Sequence, residues 1–212
     1  TVPIGPVIGP LVIAGVLTHD DQVEALKALG VKDSKLLSPR QREKLAEEIK
    51  KLAVKYEIVE LSPAEIDKIV STGKKFHRLN LLEAKAMAEV ITRLKPEIAY
   101  VDASDVVAER FGSQIKEMLL FPVTIISEHK ADATYPVVSA ASIIAKVRRD
   151  KAIAQLHEKY GDFGSGYVTD SKTVTFLMDW IKRRGSYPDF VRKSWKPAKR
   201  MQEQAGRMQT HL

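Results

Sequence analysis

"EIAYVDASDVVAERFGSQIKEMLLFPVTIISEHKADATYPVVSAASIIAK", residues 97–146, decides the fold. Pro96 ends the helical pattern before it, and "EIAYVD" then reads as a short buried strand closed by Asp102. "DVVAERFGSQIKEMLL" has helical spacing, with Asp105 placed to cap it. "VTIISE" is a second strand, and Asp132 follows it by a few residues. A long helix is expected from about Pro136 to Tyr160, ended by glycines 161, 164 and 166. Strand, helix, strand and helix in that order define an α/β core. In such a core, ligand sites gather where strands end. Asp102 and Asp132 would then share one rim if the two strands are neighbours.

Working outward, "PVIGPLVIAGVLT" reads as a strand entered through a tight loop. "SPRQREKLAEEIKKLAVKY" is a helix with Ser38 as N-cap, Pro39 in the first turn and Gln41 completing a capping box. "EIVELS" is another strand, and Ser62, Pro63 and Glu65 repeat the helix start. "NLLEAKAMAEVITRLK" is helical, with Asn80 and Glu83 as cap and box. Two more helices fill Ser171 to Arg184 and the tail from about Trp195. The fold class is therefore α/β: a mixed β-sheet flanked by helices with a C-terminal helical extension. The core spans residues 1–160 and the basic extension 161–212, as one compact unit.

The chain of 212 residues carries a net charge of +7, which favours a polyanionic partner. The surplus is concentrated in "IKRRGSYPDFVRKSWKPAKR", where Tyr187, Phe190 and Trp195 are interleaved with basic residues. That stretch reads equally as a solvated helix face packed through its aromatics. With no cysteine, disulfides and thiolate metal sites are excluded, and a cytoplasmic setting is expected. No apolar run reaches the roughly 18 residues of a membrane span, and the start lacks the basic character of a signal peptide. Neither a phosphate-cradling loop nor a dinucleotide fingerprint occurs.

Two carboxylates brought together at a sheet rim repel unless a cation lies between them. Oxygen ligands suit Mg²⁺ or Mn²⁺, which leave room for water and substrate phosphates. The competing reading is that each aspartate is a turn residue or a helix cap. "SAASIIAK" has too little bulk to carry chemistry and serves close packing.

In order along the chain stand "GPVIGPLVIAG", "VKDSKLLSPRQRE", "AYVDASD", "EHKADATYPVVSAASIIAKVRRD", "YGDFGSGYVTDSKT" and "VRKSWK". Together they resemble type 2 ribonuclease H (ribonuclease HII), in its archaeal form, over nearly the whole chain. The resemblance implies a ribonuclease-H-like fold and a metal-dependent endoribonuclease using Mg²⁺ or Mn²⁺. Its substrates would be the RNA strand of an RNA–DNA hybrid and single ribonucleotides in duplex DNA, cut on the 5′ side, as in ribonucleotide excision. Asp102 and Asp132 match the family's catalytic metal ligands. Tyr167 matches the tyrosine that packs on the sugar at the junction. Gly5, Ser34, Lys35, Lys146 and Arg192 fall at substrate-contacting positions.

The chain departs from the pattern at its start. The family opens with Asp-Glu-Ala-Gly-Arg-Gly-Pro; here Gly5 and Pro6 match, Pro3 and Ile4 replace Gly-Arg, and Thr1 stands where the glutamate falls. With two of the four family carboxylates lacking, little nuclease activity is expected of this polypeptide. The alternative function is a non-catalytic module that binds RNA–DNA hybrids. "QTHL", Gln209 to Leu212, resembles the first half of a sliding-clamp-binding motif. The expected state is a monomer.

Overall fold

The computed structural model describes residues 5–31, 37–71 and 75–209, with 75–77 and 207–209 described by backbone alone. Its elements are β1 (Leu11–Leu17), α1 (Val23–Ala28), α2 (Pro39–Leu52), β2 (Lys55–Leu61), α3 (Pro63–Val70) and α4 (Lys75–Leu94). They continue with β3 (Ile98–Asp102), α5 (Ala108–Glu117), β4 (Thr124–Glu128), α6 (Ala131–Thr134), α7 (Pro136–Tyr160), α8 (Ser171–Arg184) and α9 (Lys196–Gln209). The α/β class and the helical C-terminal third agree with the sequence reading. Among the described residues the strands pair as β1 with β2 and β3 with β4.

Local chemistry starts the helices where expected. Ser38 accepts from the Gln41 N–H while the Gln41 side chain accepts from the Ser38 N–H. Ser62 and Glu65 repeat this reciprocal pair. Each box satisfies N–H groups that a helix start leaves orphaned, and such a cap contributes about 1 kcal/mol.

Two starts differ from expectation. The helix assigned to Asn80 begins at Lys75, so Asn80 lies inside α4 rather than capping it. The helix assigned to Asp105 begins at Ala108. Asp105 instead turns inward, where Oδ1 accepts from the Val107 N–H at 3.1 Å and Arg110 forms an ion pair with it. That guanidinium holds the carboxyl below its usual range, against the opposing effect of burial.

The chain forms two compact units. One consists of Val12–Glu60 and Phe76–Arg148. In it, Val16, Leu26, Ala46 and Ile49 meet Ala140, Ile143, Ile144 and Val147 of α7 in one buried cluster. Ala84, Ala88 and Ile91 of α4 meet Ala99 and Val101 of β3 and Phe111 and Ile115 of α5 in another. A fully buried isoleucine or phenylalanine contributes about 1.5–3 kcal/mol, so these two clusters fix the strand ends between them.

The other unit consists of Thr1–Leu11, Leu61–Lys75 and Arg149–Leu212. Its centre is aromatic: Phe163 is fully buried, with Phe176 at 5.2 Å and His157 edge-on at 4.3 Å. Ile8 makes an antiparallel bridge to Val191, tying the amino-terminal segment to the segment before α9. Asp67 of α3 accepts from the Lys193 and Ser194 N–H groups at 2.8 and 2.9 Å. None of the described helices is long and apolar enough to cross a membrane.

Candidate active site

β3 and β4 run parallel, with Ile98 opposite Thr124 and Asp102 opposite Glu128. Both strands therefore end together, and the chain leaves each at the same rim. Ala103 N–H donates to Glu128 O at 2.9 Å, which closes the ladder one residue beyond Asp102. After Glu128 the chain reverses through Lys130, whose φ of 57° lies in the left-handed region. This turn starts α6 and sets Asp132 in its first turn.

The reversal brings the backbone beside Asp132 onto Asp102. Ala131 N–H donates to Asp102 Oδ1 at 3.2 Å, and the Lys130 N–H also bonds this carboxylate. The Asp102 carboxyl is nevertheless pushed above its ordinary value. Burial is the largest cause, and the negative charge of Asp132 adds to it. The two N–H bonds and the neighbouring His129 act the other way without cancelling the rise. A half-buried carboxylate beside a second one is poised to accept a cation, because the cation removes the repulsion.

The backbone around Asp132 is pinned as well. Ser139, almost fully buried on α7, donates its hydroxyl to Asp132 O and lies within reach of Tyr135 O. Ala140 is fully buried, so the small residues of "SAAS" bring α7 close enough for this contact. Three carboxylates stand at the rim, Asp102, Asp132 and Glu128, the last accepting from the Tyr135 hydroxyl; among the described residues no cluster of three acidic or histidine side chains is placed to hold a metal ion. Two oxygen ligands suit one hard divalent cation that keeps its waters and takes a substrate phosphate, and they do not make a thiolate or imidazole site.

Tyr167 follows a loop that needs glycine: Gly164 and Gly166 have φ of 79° and 80°. A Cβ on Gly166 would stand 3.2 Å from Ile8 Cβ and O and from the Arg149 guanidinium, a tight approach that adds to the preference for glycine set by the positive φ. The Gly166 N–H donates to Thr173 Oγ1 at 3.0 Å, which anchors the loop to α8. The Tyr167 ring is 37% exposed, with the Arg149 guanidinium 5.0 Å from its centroid. Arg149 also donates to Ser165 O at 2.5 Å. Sequence reasoning passed over Arg149, although "KVRRD" places it one helical turn after Lys146.

Lys146 is half-buried on α7. Arg192 is only 2% exposed, donates to Gly9 O and Pro10 O at 3.2 and 2.9 Å, and lies over the Trp195 ring at 5.0 Å. Its observed work is to tie the amino-terminal segment in place. A Cβ on Gly5 would meet Arg192 and Trp195 at 3.7–3.9 Å, ordinary contact, so space alone does not demand glycine there. Ser34 and Lys35 lie outside the described residues, as do Thr1, Pro3 and Ile4.

The profile of the family described as Ribonuclease HII matches residues 2–198. The chain belongs to the ribonuclease HII family. That family is one of metal-dependent endoribonucleases, so the carboxylate pair stands in an enzyme by descent. Ribonuclease HII of Pyrococcus abyssi is 46% identical over 210 residues, covering 98% of this chain and 91% of its own length. The crystal structure of ribonuclease H2 from Pyrococcus horikoshii OT3 superposes with a TM-score of 0.88 at 44% identity, over 95% of this chain and 94% of that one. Ribonuclease HII in the PCNA:RNase HII complex from Archaeoglobus fulgidus gives 0.82 at 47% identity, over 93% and 91%.

Proposed function

We propose that the chain hydrolyses the RNA strand of RNA–DNA hybrids and cuts 5′ of single ribonucleotides in duplex DNA, with Asp102 and Asp132 as ligands for Mg²⁺ or Mn²⁺. The observation that carries this is that Asp102 closes β3 in register with the end of β4, and that Ala131, the neighbour of Asp132, donates its N–H to the Asp102 carboxylate. A cation bound there would lower the pKa of its water and neutralise charge on the scissile phosphate. The residues supply the rest. Asp102, held by the Ala131 and Lys130 N–H groups, and Asp132, held through its backbone by Ser139, would present their oxygens to the cation. Water adds to phosphorus as the bond to the leaving 3′-oxygen breaks, giving a 5′-phosphate and a 3′-hydroxyl.

Tyr167 offers an exposed ring whose fit against a sugar would sense the 2′-hydroxyl. Lys146 and the basic C-terminal stretch would contact phosphates, Ser34 and Lys35 would lie along the backbone, and Gly5 would approach the ribose by its main chain. The two-cation form of this reaction calls for more anionic ligands than one aspartate pair. A sliding clamp is a partner on the same reading, since a relative with 47% identity forms a complex with PCNA. The segment from Gln209 to Leu212 would carry that contact.

The test is cleavage of a labelled DNA duplex holding one ribonucleotide, in Mn²⁺, by this polypeptide and by Asp102→Asn. Cutting at the ribonucleotide that the variant abolishes supports the reading. If neither chain cuts while both retain the duplex in a salt-sensitive way, the hybrid-binding module is the better description.

A further inference from the structure

α6 is four residues long, and its N-cap, Lys130, makes no side-chain cap bond. One uncapped turn does not hold itself, because helix nucleation is unfavourable and a single turn gains too few bonds to offset it. Asp132 sits in that turn, so its position must come from contacts outside it. Two side-chain contacts are made by the residue that ends the turn. The Tyr135 ring lies against Tyr100 with centroids 4.3 Å apart and planes tilted by 33°. Its hydroxyl donates to Glu128 Oε1 at 2.9 Å.

Both anchors belong to the rim itself. Tyr100 is two residues before Asp102 and so shares its face of β3, and Glu128 is the register partner of Asp102 on β4. The backbone of Tyr135 completes the frame. Its N–H donates to Ala131 O at 2.8 Å, and its carbonyl accepts from the Ser139 N–H at 3.1 Å. Ala131 in turn donates to Asp102. A displacement of Tyr135 therefore reaches both aspartates, one through Ala131 and one through the turn.

We propose that Tyr135, braced on Tyr100 and Glu128, is a positioning residue that holds the Asp132 turn at the distance from Asp102 that cation binding requires. This rests on the reading of the aspartate pair as a cation site, but its first test does not need the cation.

Tyr135→Phe keeps the ring contact and removes only the hydroxyl bond. Amide hydrogen exchange of Ala131, followed by NMR in metal-free protein, is expected to accelerate roughly three- to tenfold, the loss of one side-chain bond. The thermal midpoint should fall by no more than about 2–4 °C. Mn²⁺ affinity, read from the EPR signal of the free ion, is expected to weaken by a similar factor. Glu128→Gln, which keeps an acceptor oxygen, should retain Ala131 protection close to wild type. Unchanged exchange at Ala131 in Tyr135→Phe overturns the proposal, as does acceleration spread evenly over the whole chain. A wild-type protein that leaves Mn²⁺ free, with Ala131 still accelerated in the variant, would sustain the brace and sink the cation reading instead.

Discussion

Gly112, buried on α5, faces Ser127 of β4, and the substitution Gly112→Ala sets two opposing effects against each other. Alanine in a helix interior is favoured over glycine by about 1 kcal/mol, and by that rule alone the variant is more stable. The structure argues otherwise. A Cβ at this position would lie 2.8 Å from Ser127 Cβ and 3.5 Å from Ile125 Cγ2. Comfortable carbon–carbon contact is about 3.5–4.0 Å, so α5 and β4 would have to separate by roughly 0.7–1 Å. Phe111 and Ile115, both fully buried, flank Gly112 on the same helix and would be lifted with it. Overpacking of this kind costs about 1–3 kcal/mol.

With the propensity gain subtracted, Gly112→Ala is expected to destabilise by about 1 kcal/mol. Equilibrium urea unfolding measures this as a lower midpoint at unchanged slope. Ser127→Gly supplies the decisive second variant, because it removes the Cβ that causes the clash. Among the described residues the buried Ser127 hydroxyl has no hydrogen-bond partner, so its loss breaks no bond there. In that background Gly112→Ala should stabilise by up to about 1 kcal/mol, a coupling of about 2 kcal/mol between the sites. If the alanine stabilises equally in both backgrounds, helix propensity rules and the close approach of α5 to β4 is not as described. The consequence reaches the site, since β4 runs from Ser127 directly into the turn that carries Asp132.

The raised carboxyl of Asp102 gives a signed pH prediction. A proton held more tightly in the folded state favours folding below the unfolded pKa, and that advantage is lost as pH rises through the folded one. Asp102→Asn should therefore melt above the wild type at pH 7, with the gap closing in acid below the ordinary aspartate range; an equal or lower midpoint at pH 7 refutes this. Tyr167→Ala should lower the rate of cutting at a single ribonucleotide by about tenfold, with Tyr167→Phe retaining most of it, as measured by single-turnover cleavage. Equal loss in both variants would assign the effect to the hydroxyl rather than to the ring.

The strands and most helices were legible because each rests on short-range chemistry. Ser38-Pro39 and Ser62-Pro63 dictate helix starts whatever surrounds them, and β3 buries Ala99 and Val101 against α4 and α5 while Ile98 at its start stays exposed. The two misplaced starts share a cause. Asn80 and Asp105 have the residue type of a cap, but the Asn80 side chain bonds Asp105 across the fold, and Asp105 pairs with Arg110 while keeping its bond to the Val107 N–H. A cap contributes about 1 kcal/mol, while a buried carboxylate left without its cation costs more, so the tertiary pair decides where the helix begins. The short α1 escaped notice for the opposite reason, having six residues and no side-chain cap to announce it.

For the site, the sequence supplied the two carboxylates, and the resemblance supplied their pairing. Neither could supply the left-handed turn at Lys130, because that conformation carries no glycine to mark it. Lysine with positive φ is strained, and only surrounding contacts maintain it. Here those contacts are the N–H bonds of Lys130 and Ala131 to Asp102. The strained turn and the half-buried aspartate thus hold each other in place: relaxing the turn would leave the carboxylate without its donors. A cation is the natural third party to this arrangement, since it compensates the repulsion between the aspartates without disturbing the N–H groups that orient them.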